Sequence, residues 1–117
     1  MRSPMQSVLI LSALALLSAG TALGQGVEVK ITNDGTEDIL VTVYDRTTQP
    51  ERAVLTNQRI NGFTSVPISL VGDATGRANL SWTATSADPD SQKCGHADTV
   101  VGNDDSVNVH ADSTCKA

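Results

Sequence analysis

The sequence predicts an all-β protein: a small antiparallel β-sandwich of immunoglobulin-like size, with about seven short strands behind an N-terminal signal peptide. Three observations predict it. Several segments alternate apolar and polar residues with period two, the pattern of a strand with one buried face. Turn-forming residues punctuate the chain every 8 to 14 residues or so, the spacing of an all-β sandwich or barrel. After residue 24 no segment holds a 3.6-residue apolar repeat. A small open β-barrel is the alternative architecture.

Residues 1–24 read as the signal peptide. Arg2 supplies an early positive charge and residues 8–17 are an apolar run interrupted only by Ser12. That run is too short for a bilayer, which needs about 20 apolar residues, and suits a signal-peptide core. Ala22-Leu23-Gly24 then places small residues where cleavage before Gln25 is expected. Residues 25–117 form the single folded domain. The expected location is secreted or periplasmic, with no membrane span after cleavage.

The strands follow in order. Val27-Glu28-Val29-Lys30-Ile31-Thr32 alternates without a break. Asn33-Asp34-Gly35 is a turn of residues that tolerate positive φ. Ile39, Val41 and Val43 share one face of the next strand. Residues 47–51 form a loop around Pro50, and a third strand is expected around Ala53-Val54-Leu55. Residues 63–71 resume the pattern with Val66, Ile68 and Leu70 on one parity; Pro67 among them marks an edge strand or a bulge. In Ala78-Asn79-Leu80-Ser81-Trp82-Thr83-Ala84, Leu80 and Trp82 point inward. Residues 87–98 read as a polar loop. Thr99-Val100-Val101 and Ser106-Val107-Asn108-Val109 flank Gly102-Asn103-Asp104-Asp105, the layout of a hairpin with a four-residue loop.

Two cysteines, Cys94 and Cys115, lie 21 positions apart and lack the CxxC spacing of a zinc site. In an oxidising compartment such a pair is read as a disulfide. It matters because a domain of this size has a thin core.

Charge excludes several functions. The chain has a formal net charge of −5; losing residues 1–24 removes Arg2 and no acid, giving −6. Its scattered cations do not make the basic patch that nucleic acid or an anionic membrane needs. The three aromatics, Tyr44, Phe63 and Trp82, are explained by packing or turn cover, so a stacking platform for single-stranded nucleic acid is not expected.

Catalytic motifs are absent: no GxSxG, HExxH or GxxxxGK[ST] occurs. The expected function is that of an exported, non-catalytic binding or interaction domain. It would meet a protein partner through loops or a strand edge, and needs no cofactor. Apolar residues of the strands suffice for a thin core but leave few large side chains to line a cavity. A surface, not a pocket, is therefore expected to carry recognition.

The alternative is a metal-binding or small hydrolytic protein. His96-Ala97-Asp98 and His110-Ala111-Asp112 are identical tripeptides beside the two cysteines. A disulfide would make them neighbours, and on extended backbone each His shares a face with its Asp. His96, Asp98, His110 and Asp112 are thus the metal-ligand candidates. Asp88-Pro89-Asp90 and Asn103-Asp104-Asp105 carry calcium-type oxygens without the EF-hand pattern, and suit ordinary turns equally.

Overall fold

A computed structural model of the chain describes residues 26–115. The proposed signal peptide lies outside them. The described chain is all β, with eight strands: β1 (Gly26–Asn33), β2 (Ile39–Asp45), β3 (Arg52–Ile60), β4 (Ser65–Val71), β5 (Arg77–Ser86), β6 (Lys93–Gly102), β7 (Asp105–Val109) and β8 (Ser113–Thr114). They form two sheets, a three-stranded one ordered β4-β1-β7 and a five-stranded one ordered β3-β2-β5-β6-β8. Every pairing is antiparallel except β1 with β7, which run parallel.

The period-two faces close on one another as the sequence pattern requires. Val27, Val29 and Ile31 of β1 meet Ile39, Val41 and Val43 of β2 and Ala78, Leu80, Trp82 and Ala84 of β5 in one buried cluster. Ile60, Ile68, Leu70, Val101, Val107 and Val109 complete it. Trp82 is only 5% exposed and lies between Val43 and Ala97 in the ladder. Asp88, Asp90, Asp104 and Asp105 are exposed.

Four local expectations need correction. Residues 93–98 belong to β6, so the polar loop ends at Gln92. Gly95 and the polar residues made this stretch look irregular, but it completes a ladder against β5 from Thr85 to Arg77. Second, β6 and β7 are no hairpin. The Asn103-Asp104 link carries the chain from one sheet to the other, and its ends bind β1: Asp104 N–H donates to Glu28 O (2.7 Å) and Glu28 N–H to Asn103 Oδ1 (2.8 Å). Third, β4 begins at Ser65, and Phe63 sits exposed in the turn at φ 58°. Fourth, the Asn33 turn does not rest on positive φ. Asn33 is 1% exposed, and its Nδ2 donates to the carbonyls of Glu37 (2.7 Å) and Ile60 (3.0 Å) while Oδ1 accepts from Gly35 N–H (2.9 Å).

The edges are treated unequally. On β3 a bulge sets Thr56 and Asn57 against Thr42, with Asn57 at φ 45°. Such bulges bend an edge away from further pairing. On β4, Pro67 has the parity of Val71, whose N–H points away from β1 to Asp45, so it removes a donor from the outer edge. On the opposite flank β8 pairs only with Lys93 and Cys94. Among the described residues, β6 from Gly95 to Val101 and all of β7 have no strand on their outer side.

Candidate functional site

Three strands facing five cannot cover the five evenly. Both flanks of the larger sheet, β3 and β6, are left partly uncovered. On β6 the inward residues Gly95, Ala97 and Thr99 are small and half-buried, beside β5 partners Ala84, Trp82 and Leu80 that are fully covered. Between the free edges of β6 and β7 runs an open groove of about 1040 Å³. Trp82 lies at its floor and Val107 on its far wall, with β8 and Cys115 at one end. Counting large side chains gave no reason to expect this hollow; its room comes from small ones. It is open and mixed in polarity, not an enclosed apolar pocket.

The disulfide closes that end. Cys94 and Cys115 are bonded, with Cα atoms 5.0 Å apart, and Cys115 N–H donates to Gln92 O (2.8 Å).

The two His-Ala-Asp segments are split between faces. On β6, His96 and Asp98 have the parity opposite to Ala97, so they stand on the outer face of the five-stranded sheet. Asp98 pairs there with Arg46 at 3.4 Å. His110 instead follows β7 and meets the Trp82 ring edge-on, centroids 5.9 Å apart at 72°. Its Nδ1 lies 3.2 Å from Asp34 Oδ1 and its Nε2 3.7 Å from Asp112 Oδ2. Among the described residues no three His, Cys, Asp or Glu side chains converge as a metal shell. Asp34 is the hydrogen-bond partner of the His110 imidazole, with the Asp112 carboxylate nearby, and among the described residues no hydroxyl or thiol is bonded to it.

The calcium-type carboxylates work as turn residues. Asp88 Oδ1 accepts from Asp90 N–H (2.9 Å) and Asp105 Oδ2 from Gly102 N–H (2.7 Å).

Gly95 holds the groove's closed end together. A Cβ there would run into the His110 carbonyl oxygen and come within 3.4 Å of Trp82 Cζ3. Backbone cannot yield as a flexible side chain can. Gly95→Ala is therefore expected to cost about 2 kcal/mol, as overpacking does, and to alter Trp82 fluorescence. Chemical denaturation followed by that single tryptophan checks both; an unchanged midpoint would contradict the contact.

Asp34, Gly95, Ala97 and Thr99 are the site residues that sequence reading missed. The signal was present: Gly95, Ala97, Thr99 and Val101 alternate with His96, Asp98 and Val100. Comparison with protein-family models, curated proteins and solved structures gives no match.

Proposed function

We propose that this chain is an exported, non-catalytic binding domain that takes an extended segment of a protein partner by strand addition in the β6–β7 groove. One observation carries the reading: among the described residues, the β7 edge and the β6 edge from Gly95 onward have no further strand and flank an open groove floored by small side chains, while the β3 and β4 edges are blunted by a bulge and a proline. A free edge offers a row of backbone donors and acceptors to an extended peptide, and a groove beside it receives that peptide's alternate side chains. The small inward residues leave room for those side chains.

Export rests on Arg2, the apolar run at residues 8–17 and Ala22-Leu23-Gly24. The Cys94–Cys115 disulfide fits an oxidising compartment. Among the described residues no helix is long and apolar enough to cross a membrane.

Site-specific photo-crosslinking in the native host tests the proposal. Val100 is 52% exposed on the outer face of β6 at the free edge, and Ser69 lies on the outer face of the three-stranded sheet. A benzophenone side chain at Val100 is expected to yield a discrete adduct with an exported protein, and one at Ser69 none. Equal adduct yields from the two positions would contradict the proposal.

A further inference from the structure

We infer that the groove selects a basic partner segment whose residues alternate, with apolar side chains facing in and cationic ones facing out. This rests on the strand-addition reading above and names the chemistry of its ligand.

A strand laid along β6 sends successive side chains to opposite faces. The free edge from Gly95 to Val101 gives it about seven residues of ladder. One set of its side chains falls inside the groove, beside Ala97, Thr99 and Val101. The other falls outside, beside His96, Asp98 and Val100.

The inner set meets a hollow of limited size. Above Gly95 the space is filled by the His110 carbonyl. Above Ala97 and Thr99 it is open, with Val107 as the facing wall. Apolar side chains seated there would cover Ala97 and Thr99 as the missing strand of a fuller sandwich would.

Charge decides the outer set. Asp98 stands on the outer face beside His96, Asp105 and Asp112 border the groove with His110, and among the described residues no Lys or Arg borders it. Arg46 reaches Asp98 from the outer face, but the Asp98 side chain stays 72% exposed. With a net charge of −5 behind them, these carboxylates favour a basic segment. They disfavour a second copy of this chain, whose β6 would bring its own Asp98 to the same edge.

Two peptides test the selection on the exported chain, with Trp82 emission as the readout. Both are ten-residue, capped and alternate valine with polar residues, lysine and threonine in one, glutamate and threonine in the other. The lysine peptide is expected to bind at least ~10-fold tighter at low salt, with the gap shrinking near ~0.5 M salt as charges are screened. Ala97→Phe, which fills the hollow, should abolish binding. Replacing Asp98 and Asp112 by Asn should narrow the preference by about threefold, the scale of exposed ion pairs. N-methylation of alternate peptide bonds leaves the protein untouched and should also abolish binding. Equal affinities that N-methylation still abolishes would overturn the basic selection and leave strand addition standing. Binding that survives N-methylation, or no binding by either peptide, would overturn strand addition itself. Concentration-dependent dimers of the free chain would instead assign the groove to a second copy and overturn the proposal.

Discussion

Reducing the Cys94–Cys115 bond is expected to lower the melting temperature by about 10 °C or more. The bond joins residues 21 apart. Closing a loop of that size removes chain entropy worth roughly 3 kcal/mol from the unfolded state. In a domain of fewer than 100 residues, 1 kcal/mol shifts the midpoint by about 4–8 °C. The native state also depends on the bond, because β8 is held by only two residue pairs with β6. Thermal unfolding of the exported chain with and without reductant measures the effect. A shift of a degree or two would mean that the sandwich needs no staple.

Removing the Asp45 carboxylate should cost as much. Asp45 is 1% exposed at the end of β2, and it joins the two sheets. Its Oδ2 accepts from Val71 N–H (2.8 Å) at the end of β4 and from Arg52 Nη2 (3.2 Å), while Oδ1 accepts from Thr47 N–H (3.1 Å). Burial alone would raise its pKa. The Val71 and Thr47 N–H groups, the Thr47 hydroxyl and the Arg52 charge outweigh burial and hold the carboxyl below its ordinary value of 3.8. Asp45→Ala leaves buried donors without an acceptor, at a cost of about 3 kcal/mol. The sign with pH follows from the lowered value. The contribution is fully present above the unfolded-state pKa and is lost as pH falls through the folded-state one. Unfolding curves between roughly pH 6 and pH 2 should thus fall less steeply for Asp45→Asn than for the parent. Parallel profiles would show that Asp45 is not the linked group.

Most of the fold could be read from the chain because burial and period coincide in it. Val27, Val29 and Ile31, or Leu80 and Trp82, are apolar at every second position, and a sheet with one buried face explains nothing else so simply. What escaped reading depends on partners distant in sequence. Asp45 looks like any loop-edge acid until Val71, 26 residues on, supplies its N–H. The turn at Asn103-Asp104 has hairpin composition, yet Glu28 captures it and sends β7 alongside β1 in parallel. The groove escaped for a different reason. Gly95, Ala97 and Thr99 carry no strong signal as residues; their effect is the volume they leave empty where one sheet outruns the other. The identical His-Ala-Asp tripeptides invited a shared site, but β6 is extended and turns its pair outward, while His110 lies past the end of β7.

Amide-resolved hydrogen exchange on the isotope-labelled exported chain, alone and with the lysine peptide, tests strand addition at the groove most directly. On an antiparallel edge strand, alternate N–H groups point away from the ladder. In the free chain, alternate amides between Gly95 and Val101 should exchange as fast as loop amides while their neighbours, bonded to β5, stay protected. With peptide bound, the fast ones should slow by at least ~10-fold, the protection that a ladder bond gives, and the amides of β3 and β4 should not change. Protection that appears on β3 or β4, or nowhere, would contradict strand addition at the β6–β7 groove.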